Sequence, residues 1–149
     1  MVFRDPSPEL GYLILPDMKW DLVTLSSLYL VAISFNRSIR SIRDLSKAHL
    51  PMLYSIRREG ARAVQARWGL APGSLRMFIH YQPSYCASAV LSGGGWINRA
   101  YVLSADHFHV HIVNTNYVGL PGMSAGQAHL LDDVISLVSI SYATVYALI

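Results

Sequence analysis

The chain carries a single cysteine, Cys86, among its 149 residues. One thiol excludes an intramolecular disulfide framework and fits a reducing compartment. Charge is scarce, with Asp, Glu, Lys and Arg making up 14% of residues against 52% hydrophobic. That balance excludes a disordered chain, which combines high charge with little apolar content. Long apolar runs are missing too. Val134–Ile149 has no charged residue, but it falls short of the ~20 residues a spanning helix needs. Ser136, Ser139 and Ser141 also interrupt it, and Met1–Pro8 lacks the apolar stretch of a secretory signal. No internal repeat or heptad is present. The expectation is a soluble intracellular protein with no membrane partner, folded as one domain that buries about two-thirds of its unfolded surface.

Acidic residues are outnumbered nine to twelve, for a net charge of +3. The basic residues concentrate between Arg37 and Arg76. They read either as an ordinary solvated face or as an attraction for a phosphate-bearing ligand. Residues 1–10 read as a loose leader. Tyr12–Leu15, ended by Pro16, and Leu28–Ile33 read as strands. Arg37–Leu45 suggests a loop with a turn of helix. Ser46 is an N-cap candidate for a helix that Gly69 stops, with Pro51 bending its first turns or marking its true start. Leu53, Ile56, Gly60, Val64 and Trp68 form its inward stripe, and Arg57, Arg58 and Arg62 lie off it, toward water or a ligand. Leu75–Tyr81 alternates like a strand. Ser124 and Gln127 form a capping-box signature for a second helix, buried through Leu130, Leu131, Val134 and Leu137. Ile140–Ile149 is a candidate last strand. The sum is an α+β fold, a mainly antiparallel sheet with two helices.

Half of the six histidines crowd into one stretch, His107-Phe108-His109-Val110-His111-Ile112-Val113. Side chains alternate along a strand, so the three imidazoles share one face and Phe108, Val110 and Ile112 the other. Four readings are open. The histidines could be structural, hydrogen-bonded on a half-buried sheet. They could ligate a metal, as alternate strand histidines do. A neutral imidazole could attack phosphorus and form a phosphoramidate that water later hydrolyses. The fourth is a nucleotide-binding module of the same shape without turnover.

The run His-φ-His-φ-His-φ-φ, with φ apolar, resembles the signature of the histidine-triad superfamily at all seven positions. Gly11–Asp21, Leu28–Ile33, Arg40–Leu53, His80–Tyr85 and Gly126–Ile135 resemble its scavenger mRNA decapping branch. The resemblance implies a histidine-triad fold. It also implies hydrolysis of the 7-methylguanosine cap dinucleotide, or of a short capped RNA, to 7-methyl-GMP and a nucleoside diphosphate or shortened RNA. No cofactor and no metal would be needed. His109 would be the nucleophile, acting through a covalent histidine-nucleotidyl intermediate. His111 and His80 would contact phosphate oxygens, and His107 would orient its neighbours. Ser84 and Tyr85 would line the phosphate pocket, while Asp17 and Lys19 would contact the cap. Trp20 reads as core. A homodimer in the cytoplasm, and also in the nucleus, is the further expectation.

The chain also departs from the family pattern. Residues 86–106, including Ser92-Gly93-Gly94-Gly95, stand between Tyr85 and the triad as an insertion without a family counterpart. No Gly-Lys-Ser/Thr follows the glycines, so they do not read as a phosphate loop. A longer loop costs little closure entropy, about 0.6 kcal/mol per doubling, so folding would tolerate it better than catalysis. Residues 138–149 diverge into an apolar tail. Relatives also carry an N-terminal, dimer-swapped domain that supplies an aromatic and an acidic residue for the methylated base. Residues 11–149 are therefore expected to be a catalytic-domain portion.

Overall fold

The computed structural model describes residues 1–80, 107–118 and 128–140. Among these are six strands: β1 (Phe3–Asp5), β2 (Tyr12–Pro16), β3 (Tyr29–Ser34), β4 (Leu75–His80), β5 (His109–Asn114) and β6 (Ala128–Leu130). Two α-helices accompany them, α1 (Leu50–Trp68) and α2 (Leu131–Ser139). The strands form one sheet in the order β1-β2-β3-β5-β4-β6, and every neighbouring pair is antiparallel. This is the expected α+β architecture of a histidine-triad domain.

Alternation assigns the two faces. Tyr12 and Ile14 of β2, Leu30 and Ala32 of β3, and Val110 and Ile112 of β5 point to one side and join the main core. Helix α1 covers that side with Met52, Leu53, Ile56 and Val64, and α2 adds Leu131, Val134, Ile135 and Val138. Gly60 marks the closest approach, because a Cβ there would sit 2.9 Å from Cδ1 of Ile112. The Tyr12 hydroxyl ties sheet to helix through Ser55 Oγ at 2.8 Å, and burial pushes its pKa up to about 12. Trp20 is buried in this core, edge-on to Trp68, with its ring N–H donated to the Thr24 carbonyl.

Several boundaries differ from the sequence reading. The leader is not loose throughout, since Phe3–Asp5 pairs with Tyr12–Ile14 as an edge strand. Ser46 caps a short 3-10 turn, Lys47–His49, and α1 itself begins at Leu50. Pro51 thus sits in the first turn, where its missing N–H costs nothing. Gly69 ends the helix in the left-handed conformation at φ +69°, as a C-terminal glycine should. The second helix starts at Leu131, because Leu130 is still extended and pairs with Phe78. Leu130 is consequently exposed, and Ile135 and Val138 take the buried positions assigned to it and to Leu137. The strand bearing the triad begins at His109, with His107 and Phe108 before it. Tyr81, Ser84, Tyr85, the 86–106 insertion, the Ser124–Gln127 capping box and tail residues 141–149 lie outside the described residues.

Candidate active site

Strand β5 lies between β3 and β4, the most enclosed position a strand can take, and all six of its residues are buried. Its odd-numbered side chains, His109, His111 and Val113, turn away from α1. Phe78 of β4 stands directly opposite His111. Continuing that antiparallel register by two residues brings His80 level with His109. The ring centroids of His80 and His111 are 4.7 Å apart, as are those of His109 and His111. Phe78 stacks on His111 at 4.8 Å, with 20° between the ring planes. Three imidazoles and one phenyl ring therefore share a patch that pairing register alone assembles.

The orientation of His109 follows from one bond. Its Nδ1 lies 2.8 Å from the His107 carbonyl oxygen. A carbonyl can only accept, so Nδ1 carries the proton and Nε2 holds the lone pair. The segment that supplies this carbonyl is fastened on both sides. The His107 ring donates through Nε2 to the Ser34 carbonyl, and the Phe108 N–H donates to the Ile39 carbonyl at 3.2 Å. His107 thus orients its neighbour through its main chain, while its ring anchors the segment to β3.

Protonation is set by surroundings. Burial pushes the His109 pKa below the ordinary imidazole value, assisted by His80 and His107, while its hydrogen bond to His107 and the Asp17 carboxylate act the other way. Burial holds His111 well below that value, with His109, His80 and Lys19 adding to the effect. Both rings are therefore neutral at pH 7, the form in which a nitrogen lone pair can attack.

Asp17 and Lys19 reach this patch through a tight turn at the end of β2. The Asp17 N–H donates to the Tyr29 carbonyl at 2.9 Å, and its buried carboxylate accepts the Lys19 N–H at 2.9 Å. The Trp20 N–H closes the turn on the Asp17 carbonyl at 3.1 Å. Lys19 Nζ then lies 5.8 Å from the centroid of the Tyr29 ring, whose hydroxyl is 2.7 Å from His111 Nδ1. Six of the residues singled out in the sequence, Asp17, Lys19, His80, His107, His109 and His111, are brought together; Ser84 and Tyr85 are not among the described residues. Tyr29 was missed. The available signal was a tyrosine inside an apolar strand, since a buried phenol needs a partner for its hydroxyl.

The arginines of α1 have no part in this patch. Arg57, Arg58 and Arg62 line a cleft of about 530 Å³ with Met77 and Asp132, on the helix side of the sheet. Arg57 pairs with Asp132 of α2, and Arg58 and Arg62 pair with Glu59. Arg67, the fourth arginine of α1, donates to the Met1 and Val2 carbonyls, so the phosphate-attracting reading of that basic run loses its four helical members, and Lys19 is the cation beside the imidazoles.

Among the described residues, His80, His109 and His111 form the group that could hold a metal ion, with ligand atoms within 4.8 Å of one another. Bonds of about 2.0 Å in tetrahedral geometry would bring such nitrogens to about 3.3 Å, so the trio would have to contract to close on an ion.

Comparison with known proteins agrees with this geometry. The family model described as "Scavenger mRNA decapping enzyme C-term binding" matches residues 1–87. An m7GpppX diphosphatase from Bos taurus is 38% identical over 135 residues, covering 91% of this chain and 34% of the relative. Those from Homo sapiens and Schizosaccharomyces pombe are 36% and 37% identical over 135 residues, again 91% of this chain and 34% and 38% of the relative. A match of that length in a 149-residue chain cannot avoid residues 15–135, so it includes both the Asp17–Lys19 turn and the triad. The chain spans about a third of the length of these relatives. With the matching model, the antiparallel sheet and the clustered triad together, this chain belongs to the scavenger mRNA decapping enzyme family, as a C-terminal histidine-triad domain.

Proposed function

We propose that this chain hydrolyses the 7-methylguanosine triphosphate cap remnant of degraded mRNA, either as a cap dinucleotide or as a short capped RNA. The observation that carries this reading is the His109 tautomer. With Nδ1 held on the His107 carbonyl, the Nε2 lone pair is presented beside His80 and His111.

Nε2 of His109 attacks the phosphorus that bears 7-methylguanosine. The bond from that phosphorus to the next bridging oxygen breaks, its electron pair leaves on oxygen, and a nucleoside diphosphate or shortened RNA departs. The phosphoramidate left on His109 is hydrolysed by water, releasing 7-methyl-GMP and restoring the imidazole. His111 and His80 hold the non-bridging oxygens, and Lys19 balances their charge. Asp17 accepts a hydroxyl or amine donor of the nucleoside, and Ser84 and Tyr85 complete the phosphate pocket. Metal and cofactor take no part, and the working form is a homodimer in cytoplasm and nucleus. The relatives carry the name m7GpppX diphosphatase, which supports this substrate class.

The test is incubation of the full chain with cap dinucleotide in EDTA, followed by quenching and mass spectrometry of the His109 peptide. The expected result is release of 7-methyl-GMP and a nucleotidyl adduct on His109, both absent in His109→Asn. Turnover that persists in His109→Asn removes the nucleophile assignment. Calorimetric binding of the dinucleotide without any turnover would instead identify a cap-binding domain.

A further inference from the structure

Tyr29 is almost fully buried on β3, and no step of the cap reaction described above requires it. Across the sheet it is paired with Val113, which makes it the diagonal neighbour of His111 on the same face. Its hydroxyl lies 2.7 Å from His111 Nδ1, and the two rings meet edge-on at 5.6 Å. Phe78 stacks on the opposite side of His111, and Tyr117 packs against Tyr29 at 5.5 Å.

A neutral imidazole has one N–H, so the Tyr29 bond decides which nitrogen carries it. If the phenol donates to Nδ1, the proton of His111 sits on Nε2. If Nδ1 donates to the phenol oxygen, Nε2 offers a lone pair toward the imidazole cluster. A lone pair there would face the lone pair of His109 and repel an incoming phosphate oxygen. His111 Nε2 is itself buried and has no hydrogen-bond partner among the described residues, which suits a donor that a ligand oxygen satisfies.

We propose that Tyr29 is a positioning residue that donates to His111 Nδ1 and so fixes His111 as an Nε2–H donor to the phosphate. Its effect on turnover rests on the hydrolase reading above, whereas its effect on the tautomer does not. Lys19 strengthens the arrangement, because a cation near the phenol ring favours polarisation of its O–H toward the acceptor.

The experiment is two-bond ¹⁵N–¹H correlation spectroscopy on the uniformly labelled, ligand-free full chain, in wild type and Tyr29→Phe, with cap dinucleotide kinetics on both. The wild-type His111 signals are expected in the Nε2–H pattern. Tyr29→Phe keeps the ring and removes only the hydroxyl. It is expected to populate the Nδ1–H form and to lower kcat about tenfold, with KM changed less than twofold. A wild-type His111 protonated on Nδ1 overturns the proposal, and that reading needs neither turnover nor a folded variant. An unchanged tautomer in folded Tyr29→Phe overturns it as well. If wild type shows the Nε2–H form and the variant loses it while the chain turns over no cap, the positioning role stands and the hydrolase reading falls.

Discussion

The two faces of β5 are buried alike, but only one of them gathers imidazoles. On the helix side, the Val110 and Ile112 side chains carry no polar atom and join the main hydrophobic cluster. On the far side, His109 and His111 take polar rings equally deep, at 3% exposure each. Burial therefore does not separate core from site in this strand. What separates them is the polar bonds around the rings: the histidine face draws in the His107 carbonyl, the Tyr29 hydroxyl and the Asp17–Lys19 turn, while on the helix face only Asn114, at the strand's end, needs such partners. One face depends on shape and the other on orientation.

The sharpest way to test that contrast is to change one residue on each face. His109→Asn is expected to lower kcat on cap dinucleotide by about 10³-fold or more, because the covalent step loses its nucleophile. Its melting temperature should stay close to wild type, since the amide N–H can keep the bond to the His107 carbonyl. Ile112→Ala should do the reverse, losing about 2–5 kcal/mol of stability by chemical denaturation. It should retain kcat at temperatures where it remains folded. The close approach at Gly60 places the deleted atoms in the tightest part of the helix–sheet contact. Similar effects of the two substitutions on both measurements would dissolve the distinction.

Acid titration probes the histidine face alone. His109 and His111 have folded-state pKa values below that of a free imidazole, so the unfolded chain binds more protons as pH drops below about 6.5. Stability from these two groups is complete above that pH and is lost as pH falls toward their folded-state values. The acid limb of kcat/KM should likewise lie below pH 6.5, because His109 must be neutral to attack. His80, His107, Asp17 and Lys19 all bear on these rings. Urea midpoints across pH 5–8 would show the slope, and Phe substitutions at both positions should flatten it.

The smallest expected effect is on the turn that follows Lys19, Asp21–Thr24. Leu22 is exposed and sits at φ +65°, in the left-handed region that L residues avoid. Leu22→Gly should relieve that strain and stabilise the chain by up to about 1 kcal/mol, a rise in melting temperature of about 2–4 °C. The neighbouring Asp21 already satisfies the Val23 and Thr24 N–H groups, so the turn should keep its shape. A fall in stability would mean that the leucine side chain contributes packing worth more than the strain.

Much of the fold was legible because its signals are local. Gly69 stops α1 where a left-handed C-cap is needed, and the strands read at Tyr12–Leu15 and Leu28–Ile33 fall within one residue of the observed Tyr12–Pro16 and Tyr29–Ser34. The misplacements were equally physical. Leu130 belongs to helix or strand depending on whether Phe78 is beside it, and no property of the adjacent sequence records that pairing. Phe3–Asp5 is polar enough to pass for a leader until β2 offers it an edge. At the site, His109 and its neighbours stood out from alternation and from likeness to a known motif. Tyr29 did not, because its role lies in a bond to a residue 82 positions away.

The sequence by itself determined which side of β5 gathers the imidazoles, because a period of two is a property of the covalent chain in extended form. It also determined the apolar stripe of α1 and the family to which the motifs belong. Only the tertiary structure decided which nitrogen of His109 holds the lone pair, that Tyr29 stands behind His111, and that the arginines of α1 fall on the other side of the sheet. The first depends on how the Ser34 and Ile39 carbonyls hold the His107–Phe108 segment, and the other two on strand order and register. These bring distant segments within hydrogen-bond reach and are fixed by the packed sheet as a whole.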